Sequence, residues 1–150
     1  MHSPITCWSF VLVLAAATAR GEDRAGDSIE AGRRIYAAQC AACHGLRGEG
    51  QPDWDRANAA GELPAPPHDS EGHTWKHSDA MLYHLVRDGW RDPYNKTQRL
   101  TMPAFGQTLA PGEIHDVIEY LKTMWTPDQT RFHVNESVQK LGRLPWRPTR

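Results

Sequence analysis

One short segment, Cys-Ala-Ala-Cys-His at residues 40–44, constrains this chain more than any other feature. With three cysteines and eight histidines in 150 residues, the pattern should arise by chance only about 0.003 times per chain. On a helix, Cys40 and Cys43 lie on one side because they are three residues apart, and His44 follows directly. The segment therefore predicts a site that uses two thiols and one imidazole together.

Covalent attachment of haem explains this spacing. Two thiols on one side of a helix can each add to one vinyl group of a haem, and the adjacent imidazole can then bind the iron. We therefore expect a single haem c, bound through Cys40 and Cys43, with His44 as the proximal iron ligand.

Other uses of the cysteine pair fit the sequence less well. A disulfide-exchange site usually accompanies a β-α-β pattern, and a zinc site needs further cysteine or histidine ligands at finger-like spacing. The sequence shows neither, and its third cysteine, Cys7, lies near the N-terminus. A structural disulfide between Cys40 and Cys43 stays open, although it gives no reason for His44.

The N-terminus reads as a secretory signal peptide over residues 1–19. An apolar run from Ile5 to Ala17 is followed by small residues at 17 and 19, where a signal peptidase could cut. The mature chain would begin at residue 20 with a short lead over 20–27, in the periplasm or another extracytoplasmic compartment. An uncleaved N-terminus that anchors the chain in a membrane is the alternative.

Composition and charge exclude several classes of protein. The formal charge is -1 and 39 % of residues are hydrophobic, which indicates neither a nucleic-acid-binding protein nor a membrane protein with several spans. Residues 20–136 carry a net charge of -5, whereas residues 137–150 carry +4. Beyond Pro127, sparse apolar residues leave open a short helix that packs on the body. We expect the basic end of the 127–150 extension to be flexible, although it could contact a partner or an anionic membrane.

Three main helices are predicted, and no segment shows the period-two pattern of a strand. The first begins at Asp27 or Ser28 and ends near Cys43, the second follows Ser78 and stops at Gly89, and the third begins at Pro111 and stops before Thr126. Residues 45–73 and 90–107 are rich in loop-forming residues. A long loop needs something to wrap around, so we expect an all-α fold with long loops around one haem.

These features together resemble the class I c-type cytochromes of the small, single-haem bacterial kind, over residues 28–126. The resemblance is carried by Gly32 and Tyr36, by residues 40–45 with Gly48 and Gly50, by Met-Pro-Ala-Phe at 102–105, and by residues 117–122. It implies the cytochrome c fold, in which the first and last of the main helices cross closely. Gly32 and Tyr36 would then pack on Val117 and Tyr120.

Met102 is the predicted sixth ligand of the iron. It lies in an irregular segment before Pro103 and matches the Met-Pro of the resembled family, whereas Met81 and Met124 occupy apolar helix positions typical of core filling. A thioether ligand favours ferrous iron and so gives a more oxidising couple than two histidines.

The loop before the second helix contains Trp75 and three histidines, His68, His73 and His77. We expect Trp75 and one histidine to donate hydrogen bonds to the haem propionates. A second metal site, for example for copper, or an alternate iron ligand is the other interpretation of these histidines. His133 we expect to be solvated.

The function predicted from these residues is one-electron transfer without catalysis. The chain would act as a soluble carrier, or as the cytochrome subunit of a larger redox complex, between donor and acceptor proteins that the sequence does not name. The alternative is a haem enzyme or gas sensor with an open or displaceable distal ligand.

Overall fold

The computed structural model describes residues 9–97 and 99–141 of the chain. The helices are α1 Ser9–Gln39, α2 Ala41–His44, a 3-10 turn at Thr74–Lys76, α3 Asp79–Asp88, α4 Pro111–Lys122 and α5 Pro127–Leu141. Over these described ranges, β pairing is limited to an isolated bridge between Trp90 and Met102. The all-α prediction is therefore confirmed.

The first helix begins earlier than predicted. α1 continues through Asp27 and Ser28 to a start at Ser9, so the expected start at these residues is wrong. The alanine-rich stretch before residue 20 has high helix propensity and contains no proline, so nothing there ends the helix. Ser28 is not a cap, since its hydroxyl donates instead to the carboxylate of Asp116 on α4.

The close crossing of α1 and α4 is confirmed. A Cβ atom on Gly32 would overlap the carbonyl oxygen of Asp116 and would lie 2.9 Å from the Cβ of Tyr120. One turn later, the ring of Tyr36 lies 5.4 Å from that of Tyr120, measured between centroids. Glycine at position 32 therefore lets the two helix backbones come together.

The second predicted helix forms as expected, and the third begins at Pro111 as predicted but ends at Lys122, earlier than the predicted stop before Thr126. Ser78 caps α3 by accepting a hydrogen bond from the Met81 N–H, and Gly89, with a φ of 75°, ends it. Glu113 of α4 accepts a hydrogen bond from the Ala110 N–H at 2.8 Å. Met81 is 38 % exposed, so the expectation that it fills the core is wrong.

Beyond α4, the short helix that the sequence left open forms as α5. Thr126 and Gln129 cap α5 reciprocally, at 2.9 and 3.3 Å, and Pro127 occupies the first helical position. Thr126 and Pro127, predicted as the stop of the third helix, are therefore the start of α5. The predicted flexible end falls mostly on residues 142–150, outside the described residues.

α5 packs against the body through His133, which is 1 % exposed. Its Nε2 donates to the Asp79 carboxylate at 2.8 Å, and its ring lies 4.7 Å from that of Trp125. The expectation that His133 is solvated is therefore wrong.

The core lies between α1, α3 and α4. Its buried members are Tyr36, Leu82, Val86, Leu109, Ile114, Val117, Ile118, Leu121 and Trp125. Within the described part of the chain, no helix combines the length and the apolar character needed to cross a membrane.

Candidate haem site

The two cysteines lie where α1 gives way to α2. Cys40 is the N-cap residue of α2 and is partly buried, whereas Cys43 is exposed, and both are free thiols. Burial raises the pKa of Cys40 to about 11. A disulfide-exchange cysteine needs the opposite shift, because its thiolate is the attacking species. The environment of Cys40 therefore disfavours the thiolate that disulfide exchange requires.

His44 is buried, and its tautomer is set by one hydrogen bond. Its Nδ1 lies 2.8 Å from the carbonyl oxygen of Pro66. A carbonyl can only accept, so Nδ1 carries the proton and Nε2 keeps its lone pair. Burial lowers the pKa of His44, which favours the neutral form that binds metals.

Tyr36 holds the backbone that follows the motif. Its hydroxyl donates to the carbonyl of Gly45 at 2.9 Å. Burial raises the pKa of Tyr36, so the hydroxyl remains a donor. Because the same ring also packs on α4, the orientation of α2 depends on the helix crossing.

His68 lies beside His44 rather than in a metal cluster. The two rings stack with centroids 4.0 Å apart and planes 22° apart. His68 Nδ1 pairs with the Thr74 hydroxyl at 2.8 Å, and its backbone carbonyl accepts from Trp125 Nε1 at 2.9 Å. Burial lowers the pKa of His68. No local sequence pattern indicates this stacking.

The other two loop histidines contact each other at 5.3 Å, edge to face, and Trp54 stacks on His73. Across the described residues, no three His, Cys, Asp or Glu side chains lie together in a way that could hold a metal ion. The structure therefore does not support the alternative of a second metal site built from His68, His73 and His77.

Met102 is fixed by backbone contacts at the base of a loop over residues 90–102. Its N–H donates to the Trp90 carbonyl at 2.9 Å, and the Trp90 N–H donates back at 3.0 Å. A Cβ on Gly89 would come within 2.7 Å of the Met102 carbonyl, so this approach needs glycine. Met102 and Cys40 pack against the same core.

Trp75 has another partner than the one predicted. Its Nε1 donates to the Gly72 carbonyl at 3.0 Å, and its ring meets that of Phe132 edge to face at 5.3 Å. The expected hydrogen bond from Trp75 to a haem propionate stays a prediction, and in this geometry its donor is already used.

The sequence comparisons agree with these features. A family model described as cytochrome c matches residues 29–125. The chain belongs to the cytochrome c family. No curated protein and no solved structure matches it.

Membership indicates haem-based electron transfer with covalently bound haem c, and cytochrome c domains are typically extracytoplasmic. The residues of this cytochrome c domain fit that cofactor. Free thiols stand at positions 40 and 43 of the motif, and the adjacent imidazole has its Nδ1 proton engaged and its Nε2 available. These are the donors that haem c requires.

Sequence reasoning missed one polar contact beside the Met102 loop. The carboxylate of Glu62 is buried and pairs with Arg99. The two residues are 37 positions apart, and no local pattern relates charges at such a separation.

Proposed function

We propose that this cytochrome c is a one-electron carrier with His44 and Met102 as the axial ligands of a single haem. Haem c, once bound through Cys40 and Cys43, supplies the one-electron couple. The chain itself holds the two ligands in place so that little needs to move between the oxidation states.

The observation that carries this proposal is the hydrogen bond from His44 Nδ1 to the Pro66 carbonyl. It fixes the ring rotation and presents Nε2 as the ligating atom, and such an outer partner also makes the imidazole a stronger base. The stacked ring of His68 further restricts rotation of His44.

The choice of Met102 is supported by how its loop is held. Besides the bridge to Trp90, the N–H groups of Phe105 and Gly106 donate to the Val86 and Arg87 carbonyls of α3, at 3.0 and 2.9 Å. A ligand on an anchored loop can return to the same position after each transfer, as a carrier requires.

We further propose an extracytoplasmic location, reached through the signal peptide over residues 1–19, and basic redox partners that meet the acidic body of the chain. The same chemistry would serve a soluble carrier or the cytochrome subunit of a redox complex. Membrane contact through an uncleaved N-terminus or the basic end belongs to this proposal as well.

The test is to produce the protein with haem-attachment machinery and record oxidised and reduced spectra, with and without carbon monoxide. The far-red band of a methionine-to-ferric-iron bond, together with no carbon monoxide binding, supports the carrier. Absence of the band with ready binding of the gas supports a haem enzyme or gas sensor instead.

A further inference from the structure

Two loops support the proposed axial ligands, and these loops also contact each other. The first, residues 45–73, contains Pro66, which accepts the His44 hydrogen bond; the second, residues 90–102, ends at Met102. The Lys96 N–H donates to the Ala60 carbonyl at 2.8 Å, and Lys96 Nζ donates to the Ala59 carbonyl at 2.9 Å. The backbones of the two loops are therefore in direct contact.

The contact is close enough to require a glycine. Gly61 has a φ of 78°, and a Cβ there would overlap the carbonyl oxygen of Tyr94. Asn58 stabilises the turn over residues 58–62, since its Oδ1 accepts hydrogen bonds from the N–H groups of Ala60 and Glu62 at 2.9 and 3.1 Å. The turn over residues 58–62 is thus shaped to fit the second loop.

Glu62 forms the charged part of this contact. The residue is 5 % exposed, and its carboxylate accepts two hydrogen bonds from Arg99, one from Nε at 2.9 Å and one from Nη2. The Thr97 hydroxyl donates a third at 3.3 Å. These hydrogen bonds, chiefly those from Arg99, lower the pKa of Glu62. A carboxylate with so little contact with water is stable only while it is paired.

Arg99 lies three residues before Met102. Between them, the Thr101 hydroxyl donates to the Trp90 carbonyl at 3.0 Å. The segment 99–102 is therefore held at one end by Glu62 and at the other by Trp90. If the contact between Arg99 and Glu62 opened, this segment would be held near Met102 mainly by its hydrogen bonds to Trp90.

We propose that Glu62 and Arg99 are positioning residues that keep the Met102 loop closed, and so protect the iron from external ligands. This inference rests on the proposed ligation by Met102. The side chain of Arg99 is 67 % exposed, so it reaches the buried carboxylate from the surface. We call this pair of Glu62 and Arg99 the clasp. An ion pair with one exposed partner can open and close without unfolding the core.

The experiment uses the ferric holoprotein and imidazole as the external ligand, in stopped-flow mixing followed at the far-red band. Glu62→Gln should raise the rate of imidazole binding about tenfold, as expected for loss of charge-assisted hydrogen bonds. Arg99→Gln should raise it at least as much, because it also leaves the buried carboxylate unpaired. The double variant should be no faster than the singles, because both remove one interaction. Arg99→Lys, which keeps the charge but not the two-pronged geometry, should fall between Arg99→Gln and the original protein.

The matched control is Glu30→Gln, which removes the exposed pair between Glu30 and Arg33 on α1 and should leave the rate unchanged. Far-ultraviolet circular dichroism checks that each variant keeps its helices. If Arg99→Gln, which leaves the buried Glu62 carboxylate unpaired, does not yield holoprotein, Glu62→Gln and Arg99→Lys decide, since neither leaves that carboxylate without a cationic partner.

Two failures are distinguishable. If the unsubstituted protein lacks the far-red band and binds imidazole at once, the proposed ligation by Met102 is wrong. The proposed role of the clasp is then wrong as well, because it depends on that ligation. If that protein shows the band but the variants bind imidazole at its rate, or the single effects add in the double variant, the clasp alone is wrong.

Discussion

The three methionines described by the structure have different surroundings. Met81 is exposed on α3, whereas Met124 lies with its sulfur next to Gly48, where a Cβ would come within 2.7 Å of it. Met102 lies at the end of a loop with both its backbone groups bonded to Trp90. Residue type alone does not separate these three, but their backbone surroundings do.

Replacing Met102 by alanine should open the iron. The far-red band should disappear, carbon monoxide should bind the reduced protein, and the reduction potential should fall because the thioether favours ferrous iron. Absorption spectra and a redox titration measure these changes. Met81→Ala, at an exposed site, is the control and should change none of them; an unchanged spectrum in Met102→Ala would contradict the ligand assignment.

Each motif cysteine should contribute one covalent bond. Cys40→Ser or Cys43→Ser should leave haem attached through a single thioether, and the double variant should yield no stable holoprotein. Mass spectrometry under denaturing conditions measures covalent attachment. Cys7→Ser is the control, since Cys7 lies in the predicted signal peptide; covalent haem in the double variant would rule out attachment at these residues.

At the scale of elements, the contact between α1 and α4 positions the motif. α2 follows α1 directly, and Tyr36 links both to α4. The crossing requires glycine at position 32, because a Cβ there would overlap backbone atoms of Asp116 that have little freedom to move.

Gly32→Ala should therefore destabilise the holoprotein by about 1–3 kcal/mol, the usual range for overpacking. Gly26→Ala is the matched control on the same helix, because a Cβ there meets nothing within 4 Å. It should be neutral or stabilising by up to about 1 kcal/mol, since alanine favours helix. Urea unfolding followed by circular dichroism measures both; equal stability of the two variants would contradict the close crossing.

α5 is held by a polar contact as well as by packing. Asp79 accepts from His133 Nε2 at 2.8 Å and pairs with Lys122 Nζ at 3.0 Å. The hydrogen bond from His133 and the contacts with Lys122 lower the pKa of Asp79 to about 2, from an ordinary 3.8. A lowered pKa means that the ionised carboxylate stabilises the folded state above its ordinary pKa.

This contribution should be lost as the pH falls through about 2. Asp79→Asn should remove it already at neutral pH and should loosen α5, shown by a change in tryptophan fluorescence because Trp125 contacts His133. Fluorescence against pH, from 7 down to about 2, measures both effects. Glu136→Gln, which affects only the pair with Lys140 within α5, is the control; an Asp79→Asn profile identical to the original would show that the contact does not hold α5.

At the scale of the whole molecule, charge should govern the choice of redox partner. The body over residues 20–136 carries a net charge of -5, whereas the +4 of residues 137–150 is confined to the C-terminal end. Oxidation of the reduced protein by a small cationic metal complex that meets the acidic body should therefore slow as salt is added. Oxidation by an anionic complex of similar size, the control, should become faster. Stopped-flow rates against ionic strength test this; rates independent of salt would contradict electrostatic docking.

The prediction of the fold succeeded where the signals were local. The cap at Ser78, the helix start at Pro111 and the stop at Gly89 lie at or next to the ends of their helices, and all three are as expected. Local signals also failed at two places: the predicted cap at Asp27 lies inside α1, and α4 ends at Lys122, before the stop that Thr126 and Pro127 predicted.

The sequence by itself determined the chemistry of this protein, because the two thiols and the imidazole of residues 40–44 are adjacent and their spacing depends only on helix geometry. Only the tertiary structure decided how these groups are held. The Pro66 carbonyl behind His44, the pair of Glu62 with Arg99, and His133 against Asp79 join residues 22, 37 and 54 positions apart. Such contacts depend on how the loops and helices come together in space, which no short segment encodes.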